Sequence, residues 1–504
     1  MIAGLASSFV GSILVARVMG PTSLGYYNFV LWIAGLTGQF GAFGIPAATR
    51  KFAAELRGHG DLAGAGRVVA ATARLQRILA VVVCLAGGAI VYATSSPQHR
   101  FYALLAVISV GPTLLMSTYA AGLAAAEDFA SQVGSSIAAS VANLLGVSLT
   151  LIFHWGLVGL AGSLLFSRVV DFVIRRHLYI RRVKGEEGLE PRAELNPELR
   201  RRMIRFCAYC VGLLLLNAVV WDRSEVFFLQ RFSDIKQVAF YSVGFNLVQQ
   251  LIYLPRVLTG PASARIMVEF GQDRRMSGEI AEMTTRYLAL FTFPAMLGMA
   301  ALSGALVRVL WGAAYASAIP VLAIASVFAV VRGILSPADQ LLVAHERQNT
   351  MLKWSIFCAA LNLALDFTLI RAYGAIGAAV ANGVTQSVAG IGVWVMAVKL
   401  CDAKFPVAPA AKLLLASVIM AAGVAACSWT LAPALALGLG VPLGIALFVV
   451  SMRLLRPFDA RDLSRLTLIA KVMPGPAARL YRALLRFAIP MGPEKPETAL
   501  ATSA

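Results

Sequence analysis

The sequence predicts an all-α integral membrane protein of about 14 transmembrane helices, and three observations carry that class. Hydrophobic residues make up 59% of the 504 and charged residues only 14%, with a mean hydropathy of +0.76. A water-soluble domain needs more polar surface than that. Apolar runs of roughly 18 residues or more recur along the whole chain, each long enough to cross a hydrocarbon core of about 30 Å. The basic residues sit in the gaps between those runs, as in the loops of a polytopic membrane protein.

Apolar runs bounded by Gly, Pro and charge place the first six spans near 1–17, 24–46, 75–94, 101–124, 133–153 and 156–175. The second six fall near 205–230, 238–262, 286–310, 317–344, 352–371 and 374–398, and two more near 412–431 and 434–455. No basic stretch precedes the first run, so a membrane helix is expected there and not a signal peptide. That run has about 16 residues from Met1, roughly 24 Å of helix, so it is either a short span or one that begins upstream.

The charges test this count. With both termini on the cytoplasmic side of the inner membrane, the inside gaps hold 33 Lys and Arg, and the outside gaps hold only Arg17, Arg100, Arg231, Lys236 and Arg371. So steep a positive-inside bias would be scrambled by losing one helix. The net charge of +19 is therefore read as loop charge; no aromatic-rich basic face accompanies it, and no nucleic-acid partner is expected.

The chain also repeats. Leu24-Gly25-Tyr26-Tyr27 aligns with Val238-Ala239-Phe240-Tyr241, Pro46 with Pro261, and Trp155-Gly156-Leu157-Val158-Gly159 with Tyr373-Gly374-Ala375-Ile376-Gly377, in the same order and at nearly constant offset. The expected organisation is a six-helix bundle over 1–175, a basic cytoplasmic connector over 176–204 and a second bundle over 205–398. Two extra helices over 399–456 and a basic amphipathic tail over 457–504 follow. An even number of helices per copy gives both bundles one orientation and leaves a cavity between them. In the tail, Leu480, Leu484 and Phe487 share a stripe away from Arg479, Arg482 and Arg486, the pattern of a helix lying on the inner leaflet.

Cys207 and Cys210 have metal-site spacing, but no second pair or His partner follows, and the five histidines are scattered singly. No metal and no cofactor is expected. Gly58-His59-Gly60 imitates a dinucleotide fingerprint, yet it follows a membrane helix and not a strand. No nucleophile–base or Walker-type pattern is present, so the chain is not expected to be an enzyme.

Charges inside apolar runs are the informative positions, because a charge at membrane depth is costly unless it lines water or is paired. Trp221-Asp222-Arg223-Ser224-Glu225 is the densest group; Asp222 and Glu225 share a helix face, and Arg223 points about 100° away. Arg223 is either a cavity-lining anchor for a phosphate or half of a buried ion pair. Arg17, Asp171, Arg332, Asp339 and Asp366 are the other cavity candidates, and Arg168 lies beside Asp171 on the sixth span. The acidic members are candidates for a coupling cation, H+ or Na+.

Three stretches resemble a known family: Ala16-Arg17-Val18-Met19-Gly20-Pro21-Thr22-Ser23-Leu24-Gly25-Tyr26-Tyr27, Asp222-Arg223 with the Val238–Tyr241 block, and Leu369-Ile370-Arg371-Ala372-Tyr373-Gly374-Ala375-Ile376-Gly377. They are similar to segments of the polysaccharide and lipid-linked oligosaccharide (Wzx-like) flippases of the multidrug/oligosaccharidyl-lipid/polysaccharide (MOP) exporter superfamily, with Arg371 standing where proline is commoner. The resemblance covers spans one to twelve. It implies transport of a polyprenyl-pyrophosphate-linked oligosaccharide across the inner membrane by alternating access, for cell-surface polysaccharide biosynthesis. A peptidoglycan-precursor (lipid II) flippase and a multidrug/cation antiporter of the same superfamily stay open. A membrane glycosyltransferase would need a large outer loop, and every outer gap is short.

Overall fold

The computed structural model describes residues 2–94, 97–183, 195–220, 224–272, 274–401, 403–469 and 475–489. Among these every regular element is helical. Helix α1 (Ile2–Gly41) holds the first two expected spans. Forty residues of straight helix would be about 60 Å, twice the membrane core, and the chain breaks instead at Gly20 (φ 77°, ψ 178°), just before Pro21. Positive φ at that angle is open to glycine at little cost.

The gap at 47–74, expected to be loop, is helical. Helix α2 (Ile45–Gly58) turns 45° away from α1, and α3 (Leu62–Thr94) begins well before its apolar run. Ile45, Ala48, Thr49, Phe52 and Ala53 form one buried stripe of α2, while Arg50 and Lys51 face outward. Charge density marks the loop side of the membrane, but a helix can stay helical as it leaves the bilayer.

The fourth expected span is two helices in line, α4 (Pro97–Ile108) and α5 (Val110–Ala125); α6 (Phe129–Ile152) and α7 (Gly156–Arg182) follow. The small residues of α6 and α7 let them pack closely. Gly146 lies against Ser163, Gly159 against Thr150, and the Ser167 hydroxyl donates to the Ala139 carbonyl at 2.9 Å. Helix α8 (Pro197–Val220) and a short α9 (Glu225–Phe232) carry the seventh expected span, and a long α10 (Ile235–Gln272) carries the eighth. Helices α11 (Arg274–Ala301) and α12 (Ser303–Leu310) are bent by 70° to each other. Then come α13 (Ala318–Arg332), α14 (Ser336–Ala344), α15 (Gln348–Leu365), a π-turn (Asp366–Ile370) and α16 (Arg371–Leu400). Helix α16 is broken at Gly374 (φ 54°), so the 53-residue apolar stretch 348–400 contains two expected spans. Helices α17 (Val407–Thr430), α18 (Pro433–Leu455), α19 (Ala460–Ile469) and α20 (Gly475–Ala488) complete the described residues.

By length and apolarity eight described stretches qualify to cross a membrane, ten when each bent pair counts as one span. Residues 221–223 of the seventh expected span lie outside the described residues. The outward faces are apolar, as lipid requires: Ile78, Val81, Val82 and Leu85 on α3 are all exposed. Tyr92, Phe101, Phe153, Trp155, Tyr373 and Trp429 are exposed at helix ends, all on turns that the charge count assigns to one side, like an interfacial aromatic belt.

The chain divides into two compact units, one of Met1–Asn246 with Ser355–Asn382, the other of Leu247–Trp354 with Gly383–Ala504. In the second, the Trp354 ring fits over Gly392 and its indole donates to the Ala389 carbonyl at 3.2 Å. The Trp394 indole likewise donates to the Ile334 carbonyl at 3.2 Å. Both rings thereby bury a large apolar face without orphaning a donor. The tail is tied to this unit. Asp462 is buried and accepts from the Arg286 guanidinium at 3.2 Å and the Tyr287 hydroxyl at 2.8 Å, and Arg453 donates to the Phe487 carbonyl at 2.7 Å. Ala478, Leu485 and Ala488 form the packed face of α20, while Leu480 and Phe487 remain exposed with the arginines.

Candidate functional site

Two of the sequence-predicted acidic residues, Glu225 and Asp366, come together inside the first unit. Glu225 opens α9 and is 0% exposed; Asp366 opens the π-turn after α15 and is also 0% exposed. A π-turn inserts one extra residue per turn and often marks a functional position. Glu225 accepts from the Tyr241 hydroxyl of α10 at 2.9 Å and from the Asn382 amide of α16 at 2.6 Å. Asp366 accepts from the Asn362 amide at 2.9 Å and from the Ser224 hydroxyl at 3.2 Å. Asn362 also donates to the Ser224 oxygen at 3.0 Å and lies close enough to act on the Glu225 carboxylate. The cluster thus joins α9, α10, α15 and α16 through two carboxylates, two amides, a phenol and a hydroxyl.

Neither carboxylate forms an ion pair with a described residue. Two ionised carboxylates this close, at membrane depth, repel each other and lack a positive partner. A proton or a small cation bound between them would relieve that repulsion. The Oδ1 atom of Asp366 is buried and accepts no hydrogen bond among the described residues, which leaves a ligand position available. Oxygen donors of carboxylate, amide and hydroxyl type suit a hard cation.

The other predicted residues lie elsewhere. Asp171 is buried on α7 and held by Arg175 one turn later at 2.6 Å, and Arg175 also donates to the Ser136 hydroxyl at 2.9 Å. Arg17 is exposed, three residues before the Gly20 turn. In the second unit Arg332 is buried at the end of α13 and donates to the Gln386 side chain at 3.0 Å, and Asp339 is half-buried in the first turn of α14. Asp222 and Arg223 lie outside the described residues.

Sequence reasoning did not single out Tyr241, Asn362, Asn382 or Ser224 as site residues. Asn362 and Asp366 are four apart in an apolar run, so their shared helix face was readable. Tyr241 was noticed only as part of a repeat block. Asn382 is a single amide among small apolar residues and carries no pattern of its own.

Residues 1–266 match the sequence profile of the family described as polysaccharide biosynthesis protein. The teichuronic acid biosynthesis protein TuaB of Bacillus subtilis (strain 168) is 25% identical over 114 residues, which are 22% of this chain and 24% of that relative. A structure titled lipid II flippase MurJ in an inward closed conformation superposes with a TM-score of 0.69 at 16% identity, covering 92% of this chain and 98% of that one. An inward-facing multidrug resistance MATE family transporter of the MOP superfamily superposes with a TM-score of 0.67 at 16% identity, over 79% and 94% of the two chains. At such identities the likeness is one of fold, and it bears out the all-α membrane class read from the sequence.

Proposed function

Because the chain belongs to the polysaccharide biosynthesis protein family, we propose that it moves a polyprenyl-pyrophosphate-linked oligosaccharide across the inner membrane, coupled to the entry of a cation. The observation that carries the coupling is the Glu225–Asp366 pair, two buried carboxylates with no described positive partner. When the site holds a proton or Na+, the amides and hydroxyls bind a pair that carries one negative charge in place of two, and the four helices stay drawn together. When the cation leaves, repulsion between the carboxylates favours a conformation in which they are apart or hydrated. A site filled from one side of the membrane and emptied to the other converts the gradient into a bias between inward- and outward-open states. One charge moved through about 100 mV supplies roughly 2.3 kcal/mol, about a fiftyfold shift in that equilibrium.

The 33-to-5 charge split supports cytoplasmic termini. Arg223 remains the proposed anchor for the pyrophosphate, since a guanidinium can grip a phosphate with two parallel bonds. A lipid II substrate is the second reading, favoured by the extent of the superposition on MurJ; the family match favours a surface polysaccharide.

The test is transport of a fluorescent or radiolabelled lipid-linked glycan in proteoliposomes with an imposed proton or sodium gradient. Gradient-driven flipping is expected for the native chain, and only gradient-independent flipping for Glu225→Gln or Asp366→Asn. If both variants respond to the gradient as the native chain does, the coupling assignment is wrong.

A further inference from the structure

We propose that the first unit contains a second pocket, built for a phosphate ester whose organic part carries hydroxyl groups, with Arg168 as its cation. A cavity of about 280 Å³ lies between the second half of α1, the α4–α5 junction and α7, with Gln39, Ser109, Thr113, Ser117 and Arg168 among its lining. Arg168 lies inside the sixth expected span, where an unmatched guanidinium is costly. Its electrostatic neighbours are Asp171, Tyr27 and Arg175. The one carboxylate among them is already taken, because Arg175 holds Asp171 at 2.6 Å. Among the described residues Arg168 itself makes no hydrogen bond or ion pair. Two guanidiniums and one carboxylate leave a surplus positive charge, and that charge lines a cavity.

The hydroxyl part of the lining fixes what else the ligand must carry. Ser109, Thr113 and Ser117 are spaced by four and share one helical face. Each hydroxyl spends its hydrogen on its own backbone: Ser109 donates to Ala106 at 2.6 Å, Thr113 to Ser109 at 2.9 Å and Ser117 to Leu114 at 2.6 Å. What these side chains can offer a ligand is therefore lone pairs, a row of acceptors. A bare phosphate would satisfy Arg168 and be repelled by that row. A sugar phosphate satisfies both: its phosphate pairs with the guanidinium in bidentate fashion, and its ring hydroxyls donate to the three oxygens. The volume lies just under the 300–1,000 Å³ of ordinary ligand clefts, enough for one glycosyl phosphate and too small for an oligosaccharide. On the proposed function, on which this identification rests, the occupant is the sugar and phosphate at the lipid end of the glycan. A glycerophosphate headgroup of a membrane lipid has the same chemistry, so the test must separate the two.

The test is equilibrium binding to the purified full-length protein in neutral detergent, with glucose 1-phosphate, glucose, inorganic phosphate and glycerol 1-phosphate as probes. Glucose 1-phosphate is expected to bind at least tenfold more tightly than each of the others. Arg168→Gln should lower its affinity at least tenfold, and Arg168→Lys less. The pair Thr113→Val with Ser117→Ala should cut the preference for glucose 1-phosphate over inorganic phosphate by weakening the sugar phosphate, while inorganic phosphate binds as well as before or better. Thermal unfolding of each variant separates lost binding from lost fold. Glu225→Gln, which is not part of this lining, should bind the sugar phosphate normally even where gradient-driven transport fails, so the two assignments fail separately. Equal binding of inorganic phosphate, or insensitivity to Arg168→Gln in a folded protein, overturns the pocket. Glycerol 1-phosphate binding as tightly as glucose 1-phosphate assigns it to a lipid headgroup and overturns the glycan reading.

Discussion

Two polar clusters lie buried in the first unit, and they differ in the sign of what they lack. At Glu225 and Asp366 there are two carboxylates, and the described groups around them are neutral amides and hydroxyls. At Asp171 there is one carboxylate, with Arg175 bonded to it and Arg168 nearby. Asp171 and Asp366 are the same residue type at similar burial, 4% and 0% exposed. Yet one is a structural partner and the other an open acceptor. The charge ledger of the immediate neighbourhood, not the acidic residue itself, decides whether a buried group holds the fold or binds something that moves.

Opposite outcomes from neutralising the two aspartates would sharpen that contrast most. Asp366→Asn or Glu225→Gln should reduce gradient-driven transport more than about tenfold and leave the protein in the membrane at near-normal level. The Asn382 amide can still donate to a glutamine oxygen at 225, and the Tyr241 hydroxyl can turn to accept from its nitrogen. Asp171→Asn should do the reverse. It strands the buried Arg175, at a cost of about 3–5 kcal/mol, so membrane level falls while transport per molecule persists. Replacing the pair together, Asp171→Leu with Arg175→Met, should restore much of the level. Immunoblots of membranes alongside proteoliposome flux measure both. A normal level for Asp171→Asn would put both clusters in the same class.

How much of this was legible depended on how local each signal is. Charges inside apolar runs were visible one residue at a time, so Glu225, Asp366, Asp171 and Arg332 were all found. Which of them meet was not visible, because Glu225 reaches Asn382 across 157 positions and Ser224 reaches Asp366 across 142. The helical runs were readable from apolarity. The helix over 45–58 was misjudged as loop because its charges outweighed the apolar stripe Ile45-Ala48-Thr49-Phe52-Ala53. The tail stripe of Leu480, Leu484 and Phe487 was found, but the packed face of Ala478, Leu485 and Ala488 needs a partner surface to be recognised.

The tail offers a second ion pair and a smaller effect. Asp462 is 3% exposed by side chain and Arg286 21%, so this contact is less buried than Asp171–Arg175 at 6% and 10%. Asp462→Asn keeps the Tyr287 hydrogen bond and loses the charge on the Arg286 partner, costing about 1–3 kcal/mol locally. If opening is fast relative to cleavage, each 1.4 kcal/mol makes trypsin cut at Arg479, Arg482 and Arg486 about tenfold faster. Deleting residues 457–504 should lower abundance without stopping transport. Unchanged cleavage of Asp462→Asn would show that packing alone holds the tail.

The smallest expected effect tests whether the two halves are built alike. The turn after α5 and the turn after α14 have the same backbone. Glu127 (φ 58°) and Glu346 (φ 55°) are both left-handed non-glycine residues. Around the first, Ala126 donates to Gly122, Glu127 to Ala124 and Asp128 to Leu123; around the second, His345 donates to Leu341, Glu346 to Val343 and Arg347 to Leu342. The offset is 219, close to that of the blocks read from the sequence. Left-handed φ costs a residue with a Cβ roughly 1–2 kcal/mol, and glycine returns part of that through its freer unfolded chain. Glu127→Gly and Glu346→Gly should therefore each stabilise the protein by several tenths of a kcal/mol to about 1, and by similar amounts. Glu279→Gly, inside α11, should cost about 1 kcal/mol, since glycine is a poor helix former. Thermal unfolding of the purified variants in one detergent reads all three against the native chain. A stabilising change at one turn and a destabilising one at the other would mean that the shared geometry is held by different forces, and the structural repeat would lose its best-matched pair of turns.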